Sequence, residues 1–107
     1  MYKIYKEVWE ELTEKDGPFS VKEIEVRGSP MRVYDKAPNS LRDIWQPTKQ
    51  FAASEYLVFE DQRWTYDQAH QEVSSVASWL KTQGISKGDR VAIAMRNYPE
   101  WILIYWS

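Results

Sequence analysis

The first hydrophobic pattern in the chain has the spacing of an α-helix. Ile4, Val8 and Leu12 recur at every fourth position, which places them on one face of a helix. This spacing predicts a short amphipathic helix from Lys3 to about Thr13. The sequence Asp16-Gly17-Pro18 then predicts the end of the helix, because glycine and proline interrupt helical structure.

A strand-like alternation follows between Phe19 and Tyr34. Its phase shifts part-way, which predicts an irregularity in the first strand near Lys22–Glu23. The sequence Arg27-Gly28-Ser29-Pro30 predicts a turn, so the region is expected to form a β-hairpin. The segment Lys36-Ala37-Pro38-Asn39 is typical of a linker. The chain is therefore divided into a leader, residues 1–36, and a main body, residues 37–107.

Two capping patterns predict helices in the main body. The hydroxyls of Ser40 and Thr65 can each accept a hydrogen bond from a free N–H in a first helical turn. We expect the first helix to break near Pro47, which lacks an N–H, and the second to end at Gly84. The residues expected to face the core are Leu41, Ile44, Trp45 and Phe51 on the first helix, and Ala69, Val73, Val76, Ala77 and Leu80 on the second.

Two further patterns predict strands. Tyr56–Phe59 and Arg63–Thr65 are expected to pair as a hairpin around Glu60-Asp61-Gln62. The uninterrupted apolar run Val91–Met95 predicts the most buried strand, covered on both faces as in a parallel sheet and packed against the second helix. The expected fold class is α/β, with β-hairpins, amphipathic helices and one buried central strand.

The last segment predicts a helix that is hydrophobic on every side. Asn97 is expected to cap this helix, and Pro99 fits its first turn. A helix that is apolar all round belongs inside a larger protein, so the chain is expected to be the beginning of one. Alternatively, the helix is covered by the chain's own core. If the helix belongs inside a larger protein, its apolar surface is uncovered in this chain, and we expect self-association through Trp101, Ile102, Leu103, Ile104, Tyr105 and Trp106.

Composition excludes several functional classes. The chain has 107 residues and a formal charge of −2, and neither half is basic, so a nucleic-acid or membrane-surface patch is not expected. The absence of cysteine excludes disulfides and thiolate metal sites, and the single histidine argues against a His-based metal site or a catalytic triad. No signal peptide or membrane-spanning segment is evident, so a cytoplasmic protein is expected.

Four groups of residues resemble chemical sites, and each has a simpler structural interpretation. His70 is a general-acid candidate, but its place beside the apolar helix face favours a structural role. The adjacent carboxylates of Glu60 and Asp61 are expected to point apart in a solvated turn. The segment Lys87-Gly88-Asp89-Arg90 favours a turn over a nucleotide contact. The aromatic residues Trp101, Tyr105 and Trp106 lack the basic groove of a base-stacking surface and are expected to be core.

The main body resembles the beginning of the adenylate-forming (AMP-binding) enzymes, and is most similar to bacterial fatty acyl-CoA synthetases. Any one of the matching motifs alone would be weak, but they occur in the family's order and spacing. The leader shows a looser likeness to the same ligases. The motifs are Ser40–Ile44, then Tyr56–Tyr66 with its terminal Thr-Tyr, Gly84-Ile85 at a helix end, Gly88-Asp89-Arg90-Val91-Ala92, and Asn97-Tyr98-Pro99-Glu100.

The resemblance implies a parent enzyme that activates a carboxylate with ATP and Mg²⁺ and transfers the acyl group to coenzyme A. The family's phosphate-binding loop and catalytic lysine lie in motifs that this chain does not contain, and its four glycines are scattered at turns. No catalytic, cofactor-binding or metal-binding residue is therefore expected here, and the chain alone is expected to be inactive. The alternatives are a stand-alone, non-catalytic dimerisation or interaction module, and the start of an acid–AMP ligase that uses a carrier protein.

Overall fold

In the computed structural model, which describes residues 2–107, the chain forms two compact units. The first unit is Met1–Asn39 and the second is Ser40–Ser107. The structure is mixed α/β, with helices and two separate two-stranded antiparallel sheets.

The first unit contains one helix and one hairpin. Helix α1 spans Tyr2–Leu12, and strands β1 (Val21–Val26) and β2 (Ser29–Tyr34) pair from Val21↔Tyr34 to Val26↔Ser29. The hairpin turn is Arg27-Gly28, and both residues have positive φ angles, 52° and 81°, as a tight two-residue turn with the twist of the strands requires. The predicted hairpin is confirmed, although Ser29 and Pro30 belong to β2 rather than to the turn.

The predicted irregularity near Lys22–Glu23 is wrong. The register of β1 and β2 is continuous, with Lys22 opposite Val33 and Glu23 opposite Arg32. Most residues of both strands are exposed. Because neither face of the hairpin is deeply buried, its apolar residues do not have to keep one phase, and the shift in pattern requires no bulge.

The second unit begins with a short helix whose type changes at the predicted break. Helix α2 spans Leu41–Trp45, and the Ser40 hydroxyl accepts a hydrogen bond from the Asp43 backbone N–H at 3.3 Å. A 3₁₀ segment, Gln46–Phe51, follows with Pro47 in its first turn, where the missing N–H of proline costs nothing. Among the four residues expected to face the core, Trp45 is buried. Leu41, Ile44 and Phe51 are exposed, so their assignment to the core is wrong.

The second hairpin and the long helix agree with the sequence patterns. Strands β3 (Glu55–Phe59) and β4 (Gln62–Thr65) pair antiparallel, and helix α3 spans Tyr66–Thr82. The Thr65 hydroxyl accepts from the Gln68 N–H, while the Gln68 side chain accepts from the Thr65 N–H at 2.8 Å. At the other end Gly84, with φ of 86°, donates to the Lys81 carbonyl, and Ile85 donates to that of Leu80, which is a Schellman cap.

The predicted central strand at Val91–Met95 is wrong. The backbone of these residues forms no strand, and Val91 is 48% exposed while Ile93 is half-buried. A β-strand requires a neighbouring strand for its ladder of hydrogen bonds. Within residues 2–107 both sheets contain only two strands, and none pairs with this segment, so an apolar run alone does not make it a strand.

The last helix completes the core of the second unit. Helix α4 spans Pro99–Trp106, and its N-cap is Tyr98 without a side-chain bond, so the expected cap at Asn97 is wrong. Pro99 lies in the first turn as predicted. Helix α3 packs against α4, both strands of the second hairpin and the 3₁₀ segment, in place of the expected strand. The buried apolar residues of the unit are Trp45, Ala69, Val73, Pro99 and Leu103.

Candidate functional site

The core of the second unit is built around one tryptophan. Trp45 lies at the end of α2, and its indole stacks on the His70 ring at 4.1 Å and on the Trp106 ring at 5.1 Å between centroids. Tyr56 and Tyr66 pack beside it. We call these five residues the aromatic cluster. They come from α2, β3, α3 and α4, so the cluster joins every α-helix of the unit to its hairpin.

A hydrogen bond ties two distant parts of the aromatic cluster together. The Trp106 indole N–H donates to the Tyr56 hydroxyl oxygen at 2.8 Å, across 50 residues of sequence. Burial raises the pKa of Tyr56, and the bond from Trp106 opposes that shift. The phenol is therefore neutral at physiological pH and serves as a structural partner, which indicates that the contact stabilises the fold.

The neutral ring of His70 is held in one tautomer by its neighbours. Thr48 donates its only hydroxyl proton to the Trp45 carbonyl at 2.6 Å, and its oxygen lies 2.9 Å from His70 Nε2. Because that oxygen can then only accept, the His70 proton lies on Nε2. Burial lowers the pKa of His70, Lys49 lowers it further, and Asp67 opposes the shift. The ring is neutral and 7% exposed, which supports a structural role over that of a general acid.

Two open depressions border His70. One, of 530 Å³, is lined by polar residues of α3 with Lys49 and Ala52. The other, of 330 Å³, lies where α2, α3 and α4 meet. Within the part of the chain that the structure describes, no three His, Asp or Glu side chains are grouped closely enough to hold a metal ion. The larger depression presents Lys49, Asp67 and His70 among hydroxyl and amide groups.

The other candidate residues lie in turns or in the core. Glu60 has a φ of 50° and its carbonyl accepts from the Arg63 guanidinium at 2.7 Å, so Glu60-Asp61 is the turn of the second hairpin. The Asp89 carboxylate accepts from the Ser86 N–H and hydroxyl at 2.8 and 3.0 Å, and these bonds lower the pKa of Asp89. Its charge thus closes the turn before Val91.

The C-terminal aromatic residues divide between the core and the surface. Trp106 belongs to the aromatic cluster, while Trp101 and Tyr105 stack on each other at 5.5 Å. Trp101 and Trp106 are half-buried, Leu103 is buried and Tyr105 is exposed. Sequence reasoning placed these residues in a core, but it missed Tyr56 as the polar partner of Trp106 and Thr48 as the polar partner of His70. No periodic pattern signals such contacts, because the partners are 22 and 50 residues apart.

Comparison with protein families identifies the second unit. The family model described as AMP-binding enzyme matches residues 44–106, which is more than half of the chain and includes the whole aromatic cluster. The chain belongs to the AMP-binding enzyme family. Within residues 2–107, no helix of this AMP-binding protein is long and apolar enough to cross a bilayer.

Curated relatives of the AMP-binding chain include ligases and synthetases. It is 37% identical over 62 residues to vanchrobactin synthetase VabF of Vibrio anguillarum, a match that covers 57% of the chain and 2% of that protein. It is 31% identical over 68 residues to the medium-chain fatty-acid–CoA ligase of Escherichia coli K12, covering 62% and 12%. Over 41 residues it is 51% identical to the acetyl-coenzyme A synthetase of Vibrio cholerae, covering 38% and 6%.

The chain therefore spans only a small part of the length of these relatives. No solved structure matches it significantly. The comparisons confirm the predicted family.

Proposed function

We propose that the chain is the N-terminal portion of an ATP-dependent acyl-CoA synthetase. The proposed reaction joins a carboxylate to AMP with release of pyrophosphate and then transfers the acyl group to the thiol of coenzyme A. The family match over residues 44–106 carries this proposal, and the names of the fatty-acid–CoA ligase and acetyl-coenzyme A synthetase relatives support it. ATP, Mg²⁺ and coenzyme A are the proposed cofactors, and fatty-acid activation in the cytoplasm is the proposed role.

The proposed contribution of the chain itself is structural. Residues 1–36 act as a leader, and residues 37–107 form the start of the AMP-binding domain. The aromatic cluster supports this division of labour, because His70 Nε2 and the Tyr56 hydroxyl form hydrogen bonds with Thr48 and Trp106 inside the core. The chain alone is therefore proposed to contribute no catalytic, cofactor-binding or metal-binding residue.

ATP–pyrophosphate exchange tests the proposed inactivity of the isolated chain. The 107-residue chain is incubated with ATP, Mg²⁺ and labelled pyrophosphate, with and without carboxylic acids from acetate to medium-chain fatty acids. We expect exchange at the level of the acid-free reaction. A full-length acyl-CoA synthetase serves as the positive control. Exchange that depends on one of the acids would contradict the assignment of a purely structural role.

A related activity is the alternative within the enzyme class. This alternative is the start of an acid–AMP ligase that passes its adenylate to a carrier protein. The two functions differ in the acceptor. The test supplies the whole proposed enzyme with a carboxylic acid and ATP. Acyl product that forms when coenzyme A is the only acceptor present supports the CoA ligase. Product that forms only with a carrier protein supports the alternative.

We also propose that the chain self-associates through the accessible side chains of α4, which are Trp101, Ile102, Ile104, Tyr105 and Trp106, whereas Leu103 is buried in the core of the unit. The half-buried state of Ile102 and Ile104 and the exposure of Tyr105 support this, since contiguous apolar surface favours an interface. A stand-alone dimerisation module is the non-enzymatic alternative for the chain. Light scattering over a concentration series should show an increasing mass that the Ile102→Ser, Tyr105→Ser double variant reduces. A monomer mass at every concentration would contradict the proposed interface.

A further inference from the structure

The depression of 330 Å³ where α2, α3 and α4 meet has the composition of a small-molecule site. Part of its wall is apolar and comes from Val73 and Ala77 of α3 and from the Trp45 and Trp106 rings of the aromatic cluster. Hydroxyl, amide and cationic side chains complete the wall. Ligand sites combine these two kinds of surface, because apolar contacts hold a ligand and polar groups orient it. The small volume suits a compact ligand.

The charged side chains that line this depression are all positive. They belong to Arg42 and Lys81, and none of the lining residues is an aspartate or a glutamate. Within residues 2–107, neither cation forms an ion pair, since the ion pairs of the chain involve other residues. A concave surface that carries one sign of charge attracts small ions of the opposite sign. The depression therefore favours an anion.

The helix dipoles explain only part of this charge arrangement. Arg42 and Lys81 lie in the last turns of α2 and α3, where the negative end of a helix dipole favours a cation. The dipole acts along the helix axis and does not select a face of the helix. Lys81 follows Val73 and Ala77 at four-residue spacing, and Arg42 precedes Trp45 by three residues, so each cation lies on the same face as the lining residues of its helix. The dipoles leave this convergence on one depression unexplained.

The aromatic cluster determines which kind of anion fits. The His70 and Trp106 rings stack on the Trp45 indole, so Trp45 reaches the depression with the edge of its ring. The edge of an aromatic ring carries partial positive charge and packs favourably against the negative face of another ring. The planar guanidinium of Arg42 matches the two oxygens of a carboxylate. We propose that the depression binds a small aromatic carboxylate, with its ring against the edge of Trp45 and its carboxylate at Arg42 and Lys81.

Titration of the full chain with three matched ligands tests this proposal. Binding is followed by amide NMR spectra at a protein concentration where light scattering gives a constant mass. Benzoate should bind with a Kd of roughly 1–10 mM, as expected for so small a ligand. Benzamide keeps the ring without the charge and should bind about tenfold more weakly. Cyclohexanecarboxylate keeps the charge without the aromatic face and should bind roughly threefold more weakly.

Charge-removing variants locate the bound carboxylate. Arg42→Gln and Lys81→Gln replace exposed side chains, so both variants should keep the fold, and each should weaken benzoate binding by roughly fivefold. Lys49→Gln is the matched control, because Lys49 borders the other depression beside His70, and it should leave the Kd unchanged. Benzamide or cyclohexanecarboxylate binding as tightly as benzoate would overturn the proposal. So would a loss of affinity in the Lys49 variant equal to that in the Arg42 variant, or no binding at the solubility limit of benzoate.

Discussion

His70 shows how one buried residue makes stability depend on pH. Its pKa is lowered from the usual 6.5, chiefly by burial, so the folded state disfavours the protonated ring. Between the lowered pKa and 6.5, the unfolded chain binds more protons than the folded chain. The contribution of neutral His70 to the free energy of unfolding is therefore complete above pH 6.5. It is lost as the pH falls through the lowered pKa.

We expect the free energy of unfolding to decrease between pH 7.5 and pH 5, as measured by urea denaturation. Replacement His70→Gln should remove most of this decrease, because glutamine does not titrate. The pKa values of the Asp35 and Asp89 carboxyl groups are lowered from 3.8. Their protonation therefore falls below this pH range and does not contribute to the decrease in the free energy of unfolding. An unchanged pH dependence in the glutamine variant would contradict the assigned role of His70.

Trp45 is expected to be the most important single side chain of the core. It is 4% exposed and contacts Tyr56, Tyr66, His70 and Trp106, so Trp45→Ala should cost about 3–5 kcal/mol. Ile44→Ala is the matched control: the adjacent side chain is 47% exposed, and its removal should cost less than about 1 kcal/mol. Equal denaturation midpoints for the two variants would show that the core lies elsewhere.

At the level of elements, the sequence predicts best where local contacts decide the structure. The capping box at Thr65 and the left-handed Gly84 fix both ends of α3 through bonds within a few residues. Both hairpins were predicted for the same reason. Local rules do not determine which apolar residues are covered, and for this reason Leu41, Ile44 and Phe51 were wrongly placed in the core, whereas Trp45 was correctly placed.

The caps of α3 provide a direct test of this reasoning. Thr65→Ala removes the hydroxyl that accepts from the Gln68 N–H and should cost about 1 kcal/mol in the free energy of unfolding. Thr65→Ser keeps the hydroxyl and should cost only a small part of that. Chemical denaturation of both variants measures the difference, and a serine variant as unstable as the alanine variant would show that the hydroxyl is not the cause.

The segment Val91–Met95 shows where the prediction failed and why. Its composition predicts a buried strand, but burial and strand pairing depend on neighbours that no local pattern contains. Ala69, Val73 and Leu103 form the core instead. We expect Val73→Ala to cost roughly 1–3 kcal/mol and Val91→Ala to stay within about 0.5 kcal/mol, measured by urea denaturation. A larger loss of stability for Val91→Ala than for Val73→Ala would show that the segment Val91–Met95 belongs to the core.

On the scale of the whole molecule, family membership was predicted from motifs, whereas the aromatic cluster was not. The motifs from Tyr56 to Tyr66 and from Gly84 to Ala92 combine turn and cap residues, whose local roles make them recognisable in sequence. The contacts Trp106–Tyr56 and His70–Thr48 join residues far apart in the chain. They became evident only from the folded structure, and they explain why the candidate His70 serves the fold.

The proposed function makes the chain the first part of an AMP-binding ligase whose catalytic motifs follow it. The coding sequence beyond the Ser107 codon, read from the transcript, tests this most directly. We expect an open reading frame that continues into a loop rich in threonine, serine and glycine, which would supply the clustered backbone N–H groups that bind phosphate. A stop codon immediately after Ser107 would contradict it and would favour the stand-alone dimerisation module.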